Sequence, residues 1–387
     1  MQFVHISDNH LGYKQYNSDK REEDFYEAFK QCIDKILEIK PDFVIHSGDL
    51  FEKSTPSINA LYIAMDGFEK LIKNNIPIYI IQGNHDLPTR ASNSSPFLIL
   101  KKMLKDKLYT FGKNKYHIFS KNGKEVFIGG SDYVGINRTE KLFEIYGNIE
   151  KQSKNYKYRL LLFHQNISSY SSIPNEELQA VNLPKDFNYY AGGHIHQRIL
   201  KEINLKSTKD DSCNQVIGWS GSTEINAYNE YENYLKEGKG FYLIDLNNDF
   251  SIDNVEKIDI KCREFIICKG NNNIKNKNEL DDLKQLIQKF SNSKPVVICE
   301  ILNTLYNDEI KEFLNNNTLY SKIKLYSEYE LTENIKNLNY KTEELFKEYL
   351  ENKKYNVDLV ENIFKNGIKG EDALKEYIFE YYNINHN

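Results

Sequence analysis

Three times in the first 90 residues a short apolar run stops at a cluster of small polar and ionisable residues. Residues 3–6 end at Ser7-Asp8-Asn9-His10, residues 43–45 at Ser47-Gly48-Asp49, and residues 76–81 at Gln82-Gly83-Asn84-His85-Asp86. Between them run helical stripes, Phe25, Phe29, Ile33 and Ile36 in the first case and Leu61, Met65, Phe68 and Ile72 in the second. Strands that alternate with helices predict a mainly parallel sheet, because right-handed crossovers return each strand in the same direction. The carboxyl ends of the strands then share one edge, which is where such sheets bind ligands. All three polar clusters fall on that edge.

Beyond Tyr109 the runs shorten, around His117 and over residues 126–129, 159–163, 189–191, 216–219 and 241–246, which predicts a second, mixed sheet packed on the first. Two of these strands again finish at polar motifs, His164-Gln165-Asn166 and Gly192-Gly193-His194-Ile195-His196. The chain leaves this domain around residues 253–262. A strand, helix, strand, helix, strand pattern follows over 265–268, 280–290, 296–301, 310–314 and 323–326, without a cluster of catalytic residue types. After about residue 333, apolar stripes at helical spacing (Leu345, Phe346, Tyr349; then Leu359, Ile363, Phe364) are too many for so short a tail to bury, which points to a partner surface. The expected organisation is a domain over 1–252, a small α/β accessory domain over 253–330 and a helical tail over 331–387.

Composition removes several classes. The five cysteines are scattered and never spaced as CxxC, against both a disulfide framework and a thiolate zinc site. No run is long and apolar enough for a membrane span, and MQFVHISDNH has no signal-peptide character, so a cytoplasmic protein is expected. A net charge of -5 gives no overall basic signal for nucleic acid. There is no GxxxxGK[ST] loop, no HExxH helix and no GxSxG elbow.

What remains is a set of metal-ligating residues. Asp8 and His10 are one residue apart, so at an extended strand end both side chains would point the same way and grip one ion, and His194 and His196 repeat the spacing. Asp49 follows a glycine that lets the chain turn sharply, leaving its carboxylate free to bridge two cations. Asn84 adds a neutral oxygen. Imidazoles, carboxylates and an amide oxygen together suit manganese, iron or zinc better than magnesium alone.

The series DNH, GDLF, GNHD, His164 and GHIH resembles the calcineurin-like metallophosphoesterases. More narrowly, HISDNHLGY, HSGDLF, GNHD, AGGHIH, the GST turn at residues 221–223 and CREF at residues 262–265 resemble the SbcD-type, or meiotic-recombination-eleven, nucleases of double-strand-break repair, in their archaeal branch. The resemblance implies an α/β fold, a calcineurin-like β-sandwich flanked by helices, with a small capping domain and a helical tail. It places one ion on Asp8, His10, Asp49 and His196 and the other on Asp49, Asn84, His164 and His194, with manganese as the metal. His85 would act on the phosphate or the leaving oxygen, with Asp86 orienting it. The implied activity is 3′–5′ exonuclease on duplex ends and endonuclease on single strands.

Two divalent cations would supply locally the positive charge that the chain as a whole lacks. Lys14, Arg90 and Asn93 are candidate DNA-backbone contacts. The family also implies a homodimer, with Leu61, Met65, Phe68 and Leu98 as candidates, and a coiled-coil ABC-type ATPase bound through the tail. Glu52 stands where some relatives carry a histidine, and reads as a solvated carboxylate. The alternatives are a small-molecule phosphodiesterase or phosphatase of the same superfamily, and a DNA-end scaffold with a vestigial metal site.

Overall fold

In the computed structural model, β1 (Gln2–Ile6), α1 (Asp19–Ile39), β2 (Phe43–His46), α2 (Ile58–Lys73), β3 (Ile78–Ile80), α3 (Pro96–Leu104) and β4 (Leu108–Thr110) follow the alternation read from the sequence. The four strands are parallel neighbours. Each helix starts at a serine that caps it: Ser18, Ser57 and Ser95 accept from the N–H of Arg21, Ala60 and Phe97, and Pro96 occupies the first turn where its missing N–H costs nothing. The described residues are 1–88, 95–105, 107–112, 115–167, 178–206, 215–247 and 251–327. Arg90, Asn93 and the tail stripes Leu345, Phe346, Tyr349, Leu359, Ile363 and Phe364 lie outside them.

A second sheet follows. β5 (Tyr116–Lys121) and β6 (Lys124–Gly130) form a hairpin, α4 (Thr139–Ser153) crosses over, and β7 (Tyr158–Phe163), β8 (Tyr189–Gly192), β9 (Ile199–Ile203) and β10 (Gln215–Trp219) complete it in the order β5-β6-β7-β8-β10-β9. After α5 (Tyr231–Glu237) the chain returns to the first sheet. β11 (Gly240–Leu246) lies antiparallel on β1, and β12 (Ile252–Asp259) lies on β11, giving the order β12-β11-β1-β2-β3-β4. Residues 241–246 therefore belong to the first sheet and not, as expected, to the second. The run FYLI is buried on both faces, so its hydrophobicity carries no mark of which sheet takes it.

Period-two alternation sorts the strand residues between three cores. Val4, Ile6, Val44, Ile78 and Ile80 face the helices, against Phe29, Ile33, Ala64, Phe68 and Leu71. Phe3, Phe43, Ile45 and Tyr79 point the other way, against Val126, Ile128, Leu160, Leu162 and Tyr189 of the second sheet. Leu161 and Phe163 alternate outward onto Leu142, Tyr146 and Ile149 of α4. The result is the expected α/β sandwich flanked by helices. Its sheets bring the ends of β1, β2 and β3 beside those of β7 and β8.

The described residues divide into two compact units, the first comprising Met1–Ile267, Ile287–Ile298 and Asn317–Ser321, the second Cys268–Leu286, Cys299–Asn316 and residues 322–327. β13 (Phe265–Cys268), α6 (Lys277–Lys289), β14 (Val296–Leu302), α7 (Asp308–Asn317) and β15 (Tyr320–Tyr326) reproduce the strand and helix order read from the sequence. Within the second unit, Ile310 and Leu314 of α7 are buried, and the Tyr326 hydroxyl donates to the Ile274 carbonyl at 3.0 Å.

Candidate metal centre

Four of the seven expected ligands stand in left-handed backbone: Asp8 (φ 52°), His10 (φ 48°), Asp49 (φ 53°) and His194 (φ 77°). This conformation is uncommon for non-glycine residues and costs about 1–3 kcal/mol each where the surroundings impose it. Asp8 and His10 are therefore not presented by extended strand, as the spacing implied. β1 stops at Ile6, and the turn beyond it is fixed by Asp8 N–H and His10 N–H donating to the carbonyls of Gly48 and Asp49. Gly48 (φ +94°) supplies the sharp turn before Asp49, while Gly83 is required by space, since a Cβ there would lie 2.1 Å from Asp49 Oδ1.

The expected ligands converge in two groups, Asp8 with His10 and His196, and Asp49 with His164 and His194, and a third cluster, His10 with Glu52 and His85, overlaps the first. His194 and His196 thus part company, although their spacing alone suggested one shared ion. In the first group the Nε2 atoms of His10 and His196 face each other at 3.1 Å. Each ring's Nδ1 lies 2.9 Å from a carboxylate, Glu52 for His10 and Glu230 for His196. A carboxylate only accepts, so each Nδ1 carries a hydrogen, and in their neutral forms the two rings turn Nε2 lone pairs toward one another. About 3 Å is the separation of adjacent ligands each ~2.1 Å from one ion. Asp8 Oδ1 accepts from the His194 N–H at 3.0 Å, while Oδ2 is buried with no partner.

In the second group His164 Nδ1 donates to the Ser47 carbonyl at 2.7 Å, which turns its Nε2 to Asn84 Oδ1 at 3.1 Å and Asp49 Oδ2 at 3.2 Å. His194 Nδ1 is 2.9 Å from the same Asn84 oxygen. Asp49 Oδ2 also lies 3.8 Å from His10 Nε2, so this carboxylate reaches from the second group to the edge of the first. Imidazole, carboxylate and amide donors converging in this way, with a buried carboxylate oxygen left over, fit a pair of divalent cations.

The electrostatics agree. Burial works against a charged His164, yet the Asp49 carboxylate beside it raises the imidazole to about 9, so this spot attracts a positive charge even as a proton. Burial likewise opposes the Asp49 charge, but His164, His10 and His85 hold the carboxyl well below its ordinary range. Burial, reinforced by His164, drives His194 down to about 3, which leaves it neutral and ready to ligate.

His85 stands beside the first group, its ring 4.9 Å from that of His10 and its side chain 37% exposed. Its N–H donates to Asp49 Oδ1, and its Nδ1 is 2.8 Å from the Glu52 carbonyl, which leaves Nε2 for substrate. Asp86 does not orient it. The Asp86 carboxylate instead accepts from the N–H groups of Leu50, Phe51 and Gly83, tying the second and third motif loops together. Burial, and then the Asp49 charge, push the Asp86 carboxyl up.

Glu52 is not a solvated carboxylate either, being 19% exposed and bonded to His10. Glu230 and its buried partner Lys239, 2.7 Å apart, have no motif around them and are not found by reading the sequence. The Ser47 carbonyl is a main-chain group and equally silent. Of the candidate DNA contacts, Lys14 is engaged by Asp19 at 2.6 Å and Glu22 at 3.3 Å. Of the candidate dimer residues, Phe68 is 2% exposed and packs in the core, Leu61 and Met65 are half-buried, and Leu98 is 60% exposed.

Residues 1–198 match the calcineurin-like phosphoesterase family. The chain is 46% identical to the DNA double-strand break repair protein Mre11 of Methanococcus maripaludis, with 100% of both chains covered. It is 42% identical to the protein of the same name from Methanocaldococcus jannaschii, over 99% of each. Donor geometry and kinship lead to the same place: the chain is a metal-dependent phosphoesterase of the calcineurin-like superfamily and belongs within it to the Mre11 family of DNA double-strand break repair nucleases.

Proposed function

We propose that this protein is a manganese-dependent nuclease that trims duplex DNA ends 3′ to 5′ and cuts single strands. It would work as a homodimer with a coiled-coil ABC-type ATPase held by its C-terminal tail. The observation that carries the nuclease reading is the pair of donor groups sharing Asp49, with the exposed edge of His85 beside them. A divalent pair held by Asp8, His10, Asp49 and His196 and by Asp49, Asn84, His164 and His194 would supply Lewis acidity to the phosphate and the attacking water.

The chain's own groups do the rest. Glu52, through its carbonyl, fixes the His85 ring so that Nε2 can hydrogen-bond the phosphate or pass a proton to the leaving oxygen. The left-handed turns hold the ligands ready before substrate arrives. The homodimer reading is supported by Ile58, Tyr62, Leu98, Ile99 and Met103, 48–89% exposed on the packed pair α2 and α3. The ATPase reading rests on the tail's apolar stripes in the sequence and on kinship. Removing the chain after Glu333 abolishes binding of the ATPase in this reading, and leaves manganese-dependent cleavage intact.

The test is His85→Ala in the full chain, assayed with manganese on linear DNA, a cyclic nucleotide and a phosphopeptide. Metal binding by calorimetry stays as in the wild type while DNA cleavage falls by roughly 10²–10⁴-fold. Undiminished cleavage would remove His85 from the chemistry. Preference for the cyclic nucleotide or the phosphopeptide would move the protein to another branch of the superfamily.

A further inference from the structure

Three of the four imidazoles at the ion positions, those of His10, His196 and His164, turn a second ring nitrogen to a protein acceptor, and what that outer nitrogen meets differs between the two groups. In the Asp8, His10, His196 group both outer nitrogens donate to carboxylates, Glu52 and Glu230, at 2.9 Å. In the Asp49, His164, His194 group the outer nitrogen of His164 donates to the neutral Ser47 carbonyl at 2.7 Å. Among the described residues, no carboxylate hydrogen-bonds the outer nitrogen of His164 or His194. A carboxylate that accepts from an imidazole N–H makes the opposite nitrogen a stronger base and fixes the ring, and removing one costs roughly 10- to 100-fold in metal affinity.

The inner donors are biased the same way. Asp8 serves the first group alone, and its Oδ2 is the buried oxygen without a partner. The second group's own additional donor is the uncharged Asn84 amide, and the Asp49 carboxylate is common to both. The two supporting carboxylates are themselves unequal. Glu230 is neutralised by the Lys239 ammonium at 2.7 Å, whereas among the described residues no lysine or arginine pairs with Glu52. Glu52 also holds His85 through its carbonyl, so one residue supports both an ion ligand and the imidazole that meets substrate.

We propose that the two metal positions are unequal by construction: the one between Asp8, His10 and His196 fills first and more tightly, and Glu52 is the positioning residue that sets much of the difference. The position between Asp49, Asn84, His164 and His194 is the exchangeable one, and its occupancy makes the nuclease responsive to free divalent metal. This rests on the dinuclear reading of the site given above.

The experiment is a titration of the metal-stripped full chain with manganese chloride, followed by calorimetry and by electron paramagnetic resonance. Two ions bind in steps at least about tenfold apart, and the spin-coupled signal of a manganese pair grows only in the second step. Glu52→Gln keeps the main-chain carbonyl for His85 but removes the charge behind His10. It weakens the first step by roughly 10-fold or more and leaves the second unchanged. Asn84→Ala weakens the second step alone, and thermal melting of both metal-free variants shows that the fold is kept. Two ions bound with equal affinity, or a first step that Glu52→Gln does not move, would overturn the proposal and leave the dinuclear reading standing. A stoichiometry of one ion would overturn both.

Discussion

Gly83→Ala is a one-carbon change whose effect can be worked from the geometry of the bridging carboxylate. A Cβ at residue 83 would stand 2.1 Å from Asp49 Oδ1, 2.5 Å from Asp49 N and 2.6 Å from Asp49 Cγ, whereas real Cβ contacts do not fall below 3.0 Å. Something must therefore move by about 0.9 Å. Asp49 N is backbone, so the strain cannot be shed by a flexible side-chain end. The Gly83 loop is also anchored, because its N–H donates to Asp86 and the N–H of His85 to Asp49 Oδ1.

Overpacking of this kind destabilises by about 1–3 kcal/mol. The larger effect is on function, since a displacement near 1 Å in a reacting constellation costs on the order of 10²-fold in rate. Asp49 is shared by both donor groups, so both manganese binding steps weaken together, unlike the single-step effects of changes at Glu52 or Asn84. The assays are calorimetric titration with manganese, urea unfolding of the metal-free protein, and turnover on linear DNA. A variant with wild-type metal affinity and turnover would refute the placement of Gly83 against Asp49.

Two further outcomes follow from features away from the bridge. Burial alone would push the Glu230 carboxyl up, but Lys239 and His196 hold it at about 2, so its stabilisation is complete above its ordinary 4.5 and is lost as pH falls through that window. At 1.36 kcal/mol per pH unit this amounts to about 3 kcal/mol in the metal-free protein. Urea unfolding between pH 7 and pH 2 should show this extra loss in wild type and not in Glu230→Gln, and parallel curves would count against it. Leu98→Asp puts a charge on α3 at a side chain 60% exposed; on the proposed homodimer reading, light scattering shows a dimer for wild type and a monomer with unchanged melting temperature for the variant, and a variant that still dimerises would place the interface elsewhere.

The candidate ligands are legible in the sequence because each sits at the end of an apolar run, and strand ends on one edge of a parallel sheet are brought together by topology. How they are held is not legible there. Alternation along an extended strand aims Asp8 and His10 alike, whereas their left-handed φ angles are a tertiary effect, fixed by hydrogen bonds to the Gly48–Asp49 loop. Asp86 next to His85 looked like its orienting partner, yet adjacency in sequence says little in a tight turn, where successive side chains diverge. Glu230 and Lys239 were invisible because they come from the α5 region, whose approach to His196 is decided by the packing of the whole domain. Likewise, β11 was recognisable as a strand and not as a neighbour of β1, since pairing partners far apart in sequence leave no local trace.

Neither donor group belongs to one sheet. Asp8 and His10 leave β1, while His196 follows β8; Asp49 follows β2, while His164 and His194 follow β7 and β8. Each ion would therefore act as a clasp across the seam of the sandwich, and any motion that parts the two sheets at that edge must first let go of metal. Occupancy and closure become one equilibrium, in which free metal at a hundred times its dissociation constant adds about 2.7 kcal/mol to the closed form. Chelation would be felt mechanically as well as chemically, as hydrogen exchange that quickens along β1, β2, β7 and β8 from their carboxyl ends.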